Sequence, residues 1–381
     1  MRIVRLANFV GPRSGGLRTA LRELGAGYLA AGHEPVLIIP GDRDRDKQTS
    51  QGRVIMLRGR RVPLAGGYRV LLNERPVAQL LSELQPDALE VSDRTTLRWT
   101  GDWARRRGVP AVMVSHESLA ALIGMALPIP GLARALADTL NRRTADAYDQ
   151  VVCTTGWAAA EFERIGAPNI TRAPLGVDLH TFRPRAKRKG GAELAWASGH
   201  GDLLLVHCGR LSAEKKPQRS LTTLATLRAQ GVPARLIVAG DGPLRGRLER
   251  RAARDGLPVT FTGFLAERDD VAGLLANADV VIAPGPAETF GLAALEALAC
   301  GTPVVVSAQS ALPEVIGDAG ANVAGEDLAA GVRELMRRPE ATRRAVARAR
   351  AEMFGWDAAV RAFVAVHQMK GRRNDDVCRS R

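Results

Sequence analysis

At roughly 150 residues per domain, a chain of 381 residues has room for two domains, and its 46% apolar content describes a globular protein. No run approaches the about 20 apolar residues of a membrane-spanning helix, so none is expected. The net charge of +14 is carried mostly by Arg, which a GC-rich coding sequence also favours; read as a binding signal it suits an anionic surface, and aromatic residues of only 4% that do not interleave with the bases favour a membrane leaflet over nucleic acid.

The first predicted strand, Arg2 to Ala7, begins at once, with no basic-then-apolar leader, so export is not expected. A glycine-rich loop follows, Asn8-Phe-Val-Gly11-Pro-Arg-Ser14-Gly15-Gly16, and opens a helix at Leu17. A strand, a glycine turn and a helix start together suit phosphate binding, because glycine lets backbone amides approach an anion; taken alone, Gly15 and Gly16 are equally simple turn chemistry. Further strands are predicted at Pro35 to Ile39, Ala88 to Val91, Ala111 to Ser115 and Gln150 to Cys153. Asp93 follows the third of these five strands and His116 the fourth, at the edge where ligands of parallel sheets bind. A capping aspartate beside a surface arginine, and a structural histidine, are the plain alternatives. Arg58, Arg60 and Arg61 lead into Val62-Pro-Leu-Ala-Gly-Gly-Tyr68-Arg69, and Ile123 to Leu140 mixes apolar residues with Arg134 ahead of Arg142 and Arg143. Such pairing of bases with apolar residues suits an anionic membrane surface or an ordinary solvated face.

The segment Pro174-Leu-Gly-Val-Asp178 to Pro184, with the basic stretch Arg185 to Gly191, reads as an interdomain connection. The domains are therefore expected at 1–184 and 185–355, with a last helix at about 356–369 and a disordered tail over 370–381. In the second half, strands are predicted at Leu203 to Cys208, Ala234 to Ala239, Val259 to Phe261, Val280 to Ala283 and Val304 to Ser307. Each half is expected to form its own doubly wound α/β sheet.

Arg210 and Lys215 follow the first strand of that half, where a guanidinium and an ammonium can neutralise a diphosphate or can simply be solvated. Phe264 follows the strand ending at Phe261. After Val280 to Ala283 come Glu288-Thr289-Phe290-Gly291-Leu292-Ala-Ala-Leu-Glu296, with Glu288 expected in the loop and Glu296 about two turns into a helix. The amides of Thr289, Phe290 and Gly291 are expected as free donors at the helix mouth. Two acids for hydroxyls and free amides for oxyanions suit a sugar nucleotide. Cys153, Cys208, Cys300 and Cys378 never form a C-x-x-C pair, and the six histidines lack metal-ligand spacing. No disulfide framework and no metal is expected, in a reduced cytoplasmic protein.

In this order and spacing, Gly15-Gly16, His116, Pro174-Leu-Gly-Val-Asp178, Gly209-Arg210 to Lys215, Phe261-Thr-Gly-Phe264 and Glu288 with Glu296 resemble the GT-B glycosyltransferases of family 4. Asn8 to Thr19, Leu89-Glu-Val-Ser-Asp93-Arg, Val151-Val-Cys-Thr-Thr-Gly and Ala283 to Glu296 are similar, within that family, to the phosphatidylinositol mannoside mannosyltransferases. The resemblance implies two Rossmann-like doubly wound domains facing a central cleft, with the last helix packing back on the first. It implies retaining, metal-independent α-1,6 transfer of mannose from GDP-mannose to a phosphatidylinositol dimannoside, on the cytoplasmic face of the plasma membrane as a peripheral protein. Arg210 and Lys215 would hold the diphosphate, Gly15 and Gly16 would approach it, Glu288 would hold the mannose and Glu296 the ribose. Phe264 and Thr289 to Leu292 would complete the donor site, and His116 would assist catalysis. Arg58, Arg60, Arg61, Tyr68, Arg69 and Asp93 are the acceptor and membrane candidates. Alternatives are another donor, a soluble acceptor such as a thiol-cofactor precursor, or a sugar-nucleotide binder that has lost catalysis. A dinucleotide oxidoreductase would need a G-x-G-x-x-G after the first strand, which is missing.

Overall fold

Short Val/Leu/Ile runs alternating with amphipathic segments produce parallel strands with helical crossovers, because each strand is covered on both faces and its partner must be reached by a long connection. The computed structural model describes residues 1–11, 15–62, 67–116, 118–126, 129–185 and 202–369. These form two units, Met1–Pro174 with the helix from Trp356, and Leu175–Gly355. The first unit thus ends at Pro174 and not at 184; Val177 pairs with Gly355 and its N–H donates to the Phe354 carbonyl, which ties the connecting segment to the second unit. The tail 370–381, most of the basic stretch after Arg185 and residues 63–66 of the arginine hairpin lie outside the described residues.

The first unit runs β1 (Arg2–Leu6), α1 (Gly16–Ala30), β2 (Glu34–Gly41), β3 (Arg45–Thr49), β4 (Gly52–Arg58), β5 (Arg60–Arg61), β6 (Arg69–Val70), α2 (Glu74–Leu84) and β7 (Ala88–Val91). It continues with α3 (Trp99–Arg107), β8 (Ala111–Ser115), α4 (Leu119–Ala126), α5 (Pro130–Ala147), β9 (Gln150–Cys153), α6 (Gly156–Glu163) and β10 (Ile170–Arg172). Its main sheet has the order β10-β9-β8-β7-β1-β2-β4-β3, parallel except for β3. Strands β3 to β6 and β10 were not among the predicted ones. β3 reads Arg-Asp-Lys-Gln-Thr, an edge strand without an apolar run, and β5, β6 and β10 are too short to carry a periodic signal. One sheet face buries Val4, Leu6, Val36, Ile38, Leu89 and Val91 in the larger core. At about 1.5–3 kcal/mol for each buried Val or Leu, this face dominates the unit's stability.

The second unit runs β11 (Leu203–Cys208), α7 (Gln218–Ala229), β12 (Ala234–Ala239), α8 (Arg245–Arg254), β13 (Val259–Gly263), α9 (Arg268–Asn277) and β14 (Val280–Ala283). Then come α10 (Leu292–Ala299), β15 (Val304–Ser307), α11 (Leu312–Ile316), β16 (Gly320–Val323), α12 (Ala329–Met336) and α13 (Glu340–Glu352). All pairings are parallel, in the order β13-β12-β11-β14-β15-β16. Counted from β11, this is the order 3-2-1-4-5-6 of a doubly wound nucleotide-binding sheet, whose ligand crevice opens where the order reverses, between β11 and β14.

The last helix, α14 (Trp356–Gln368), packs on α1 of the first unit. Gly27 permits that approach, since a Cβ there would sit 2.2 Å from Val360 Cγ2. Beneath the two helices lies a buried polar cluster. Arg5 and Glu90 are register partners on β1 and β7, joined by an Nε–Oε1 hydrogen bond of 2.8 Å. The Tyr28 hydroxyl donates to Glu90 Oε2 at 2.7 Å, and His367 Nε2 reaches the same oxygen at 3.0 Å. Burial alone would raise the Glu90 pKa, but Arg5 and the bonds from His367 and Tyr28 outweigh it and hold the carboxyl well below its ordinary range.

Candidate active site

In the second unit the crevice is shaped by loops stitched to one another. Gly209 N–H donates to the Ala239 carbonyl at 2.9 Å, Gly240 N–H to the Gly263 carbonyl at 2.8 Å and Leu211 N–H to the Asp241 carbonyl at 3.0 Å. The turns after β11, β12 and β13 are thereby drawn into one rim that carries Arg210, Asp241 and the 47% exposed Phe264. Gly240 has φ 147°, and a Cβ on it would fall 1.9 Å from the Gly209 carbonyl oxygen, so only glycine fits there.

Lys215 closes the 3-10 turn Ala213–Lys215 after β11, and Glu288 stands in the loop after β14. They flank the point where strand order reverses, and the Lys215 ammonium donates to Glu288 Oε1. The side chains are 29% and 21% exposed, which leaves both reachable from the crevice. Two features that the sequence reading missed bring them together. Gly285 lies against the Lys215 backbone, where a Cβ would sit 3.2 Å from Lys215 Cα. The buried Arg219 of α7 donates to the Pro284 carbonyl at 3.1 Å and pairs with Glu326, which clamps the β14 loop to α7. Arg219 carries no local sequence signal for this clamp, because its partners Pro284 and Glu326 lie far along the chain. Arg210 is 39% exposed and its Nη1 lies 4.0 Å from Glu214.

The helix after Glu288 begins later than its sequence predicts. α10 starts at Leu292, so Glu296 lies one turn into it and not two, and Gly291 is the N-cap. The donors at the helix mouth are therefore the N–H groups of Gly291, Leu292 and Ala293, whereas Thr289 and Phe290 precede the helix. Phe290 is buried against Phe354, with ring centroids 6.1 Å apart, and Thr289 is buried too, so both shape the loop. Gly291 has φ 77°, and a Cβ would meet Leu312 Cδ2 at 2.1 Å. Gly291→Ala is expected to cost about 3 kcal/mol from overpacking and left-handed backbone strain together, seen as a lower melting temperature and weaker nucleotide binding.

In the first unit the order reverses between β1 and β7, and the loops after both strands meet that point. Gly15 caps α1, its carbonyl accepts from Thr19 N–H at 3.2 Å, and a Cβ on it would meet nothing within 4 Å among the described residues beyond its chain neighbours. His116 follows β8 and its Nε2 is 3.2 Å from Ser92 Oγ. Desolvation by the surrounding protein, with the Arg5 and Arg94 cations nearby, pushes its pKa down to about 4, so the imidazole is neutral at pH 7.

Asp93 corrects its sequence reading. The buried carboxylate accepts from Asn8 Nδ2 at 2.9 Å, from Thr95 N–H and Oγ1 both at 2.7 Å, and from Thr96 Oγ1 at 2.5 Å. Its lone pairs hold the β7 turn to the β1 loop, and its role is structural. Arg94 is buried as well and donates to Asn141 Oδ1 at 2.9 Å, so it is not a surface arginine. Arg60, Arg61 and Arg69 lie in the β5–β6 hairpin, Arg61 directly opposite Arg69, and Arg58 ends β4 beside it. Tyr68 packs edge-on to Phe9, with centroids 6.4 Å apart. On and just before α5, Ile129, Leu132 and Leu136 are 57%, 46% and 43% exposed along one helical face. Among the described residues no group of three or more His, Cys, Asp or Glu is placed to hold a metal, and no helix is long and apolar enough to cross a membrane.

Comparison with known proteins places this geometry. The profile of glycosyl transferases group 1 matches residues 195–352, and that of the glycosyl transferase 4-like domain matches 15–177. The chain is 54% identical over 369 residues to a GDP-mannose-dependent alpha-(1-6)-phosphatidylinositol dimannoside mannosyltransferase of Mycobacterium tuberculosis, covering 96% of this chain and 95% of that one. It is 33% identical over 297 residues to a D-inositol 3-phosphate glycosyltransferase of Saccharomonospora viridis, covering 69% of this chain and 65% of the relative. Among solved structures, sucrose-phosphate synthase from Thermosynechococcus elongatus superposes with a TM-score of 0.79 at 20% identity, over 96% of this chain and 98% of that one.

Proposed function

Because this chain belongs to the GT-B glycosyltransferases of family 4, we propose that it transfers mannose from GDP-mannose to a phosphatidylinositol dimannoside, forming an α-1,6 link with retention and without a metal. The observation that carries this reading is the 54% identity to the mycobacterial mannosyltransferase over nearly the whole of both chains. The chemistry of the crevice fits it. A nucleotide sugar brings its own leaving group, so the protein has to stabilise charge arriving on the diphosphate and align the acceptor. An ammonium has three donors, so Lys215 can keep Glu288 in place with one and meet phosphate oxygens with the others. Arg210 and the amides at the mouth of α10 add positive potential where that charge develops. Glu288 accepts from the mannose hydroxyls and Glu296 from the ribose hydroxyls. In the first unit, the amides of Gly15 and Gly16 suit an anion, and neutral His116 suits a hydrogen bond to a sugar hydroxyl. The acceptor hydroxyl attacks from the face the diphosphate leaves, and the departing phosphate oxygen takes its proton.

The same reading makes the protein peripheral on the cytoplasmic leaflet. Arg61 opposite Arg69 is a like-charge pair that an anionic headgroup would relieve, and Ile129, Leu132 and Leu136 offer apolar contact. The decisive assay follows radiolabelled mannose from GDP-mannose onto phosphatidylinositol mannosides of defined length in EDTA. A product one mannose longer, absent with Glu288→Ala, is expected. Loss of transfer in EDTA with rescue by a divalent ion would overturn the metal-free route. Transfer only to a soluble inositol phosphate would favour a second reading, suggested by the Saccharomonospora viridis relative.

A further inference from the structure

On the sheet face opposite the larger core, α1 packs over β2 and β4 and buries Leu21, Leu37, Ile39 and Val54 in a smaller core cluster. Between α1 and the strands a narrow groove with a cavity volume of ≈ 160 Å³ remains beside them. Its floor is set by register. Leu37 of β2 stands beside Val54 of β4, which stands beside Lys47 of β3; one step along, Ile39 stands beside Met56 and Met56 beside Arg45. Each row therefore runs from apolar residues to a cation at the sheet edge. Arg18, in the first turn of α1, adds a third positive group to the lining, and Val10 closes the end nearest the glycine loop. On the edge strand β3, Lys47 is exposed, whereas Arg45 is half-buried and its Nη2 lies 3.3 Å from Asp42 Oδ1, so the anion would share Arg45 with that carboxylate.

The size decides what fits. Ligand pockets for drug-sized molecules start at about 300 Å³, so this groove is too narrow for a nucleotide or a disaccharide and suits a single alkyl segment. An apolar floor ending in three cations is complementary to an anionic amphiphile, whose chain lies on the floor and whose phosphate meets the rim. Continuity decides which amphiphile. Val10 and Arg18 bracket the loop and helix start that carry Gly15 and Gly16, so the groove leads away from the proposed reaction site within the same unit. We propose that this groove holds an acyl segment of the acceptor glycolipid, with its phosphate at Arg18, Arg45 and Lys47. The assignment of the occupant rests on the proposed function.

The test compares the dimannoside acceptor with its deacylated glycerophosphoinositol form, for wild type, the floor variant Met56→Trp and the rim variant Arg45→Glu/Lys47→Glu. Met56→Trp should raise KM for the acylated acceptor about tenfold and leave KM for the deacylated one unchanged. The rim variant should raise KM for both, since both keep the phosphate. Unchanged KM for the acylated acceptor in both variants, or equal rises for both acceptors in Met56→Trp, would overturn the groove. Calorimetric titration with dihexanoyl phosphatidylinositol separates the groove from the activity. A wild type that binds this probe, with binding weakened in both variants, keeps the groove even if no mannose is transferred. Transfer by the wild type with probe binding unaltered in the variants removes the groove and keeps the activity.

Discussion

Lys215→Ala is expected to lower kcat for sugar transfer by about 10²–10³-fold, the loss found when one preorganised donor is removed from a site of developing charge. The ammonium is held in advance of the reaction, by its position at the end of a 3-10 turn and by its bond to Glu288. Removing it has two effects of the same sign. The leaving diphosphate loses a fixed cation, and Glu288 loses its partner and becomes an uncompensated negative charge beside the crevice. Binding of GDP should weaken less than kcat falls, because the demand for positive charge is greatest once the glycosidic bond has lengthened. Lys215→Arg should recover only part of the rate, since a planar fork cannot share its donors between carboxylate and phosphate in the same way. Steady-state kinetics with GDP calorimetry read this directly, and a kcat within threefold of wild type for Lys215→Ala would remove Lys215 from the mechanism.

The second large effect concerns the buried cluster around Glu90. Glu90→Ala is expected to destabilise the first unit by about 3–5 kcal/mol, the usual cost of leaving one member of a buried ion pair alone. Arg5 would remain fully buried without its carboxylate, and both Tyr28 and His367 would lose their acceptor. The readouts are a lower melting temperature and early proteolytic release of α14, which His367 ties to β7. Because the Glu90 carboxyl is held below its ordinary range, its stabilising contribution is fully present above the unfolded value of about 4.3 and is lost as pH falls below it. Glu90→Gln should therefore be less stable than wild type at pH 7 and lose less stability between pH 5 and pH 3. A variant with wild-type stability at pH 7 would contradict the role given to the cluster.

What could be read from the chain differs by element for physical reasons. β11, β12, β14 and β15 are apolar runs buried on both faces, and such runs announce themselves. β3 exposes most of its residues and pairs on one side only, so its existence depends on β4 and not on its own composition. The Glu288 to Glu296 spacing pointed to the second crevice, and the structure sets Lys215 against Glu288 there. The start of α10 was misplaced because Gly291 adopts a left-handed conformation that caps the helix, a choice dictated by the contact with Leu312. Asp93 looked like an acceptor contact because its strand-end position is where ligands bind, yet the neighbours Thr95 and Thr96 absorb its carboxylate. The Arg219 clamp on Pro284 spans residues far apart in sequence, and no local pattern records it.

The return of α14 to the first unit also bears on the order of events during synthesis. Residues Leu175–Gly355 form a unit that is continuous in sequence, so it can close without waiting for α14. The first unit has all its strands before that but not the helix that covers Arg5, Tyr28 and Glu90, and it stays uncapped until His367 leaves the ribosome. Released chains truncated at Gly355 should thus carry a finished C-terminal half and an N-terminal half that is still open to chaperones and proteases.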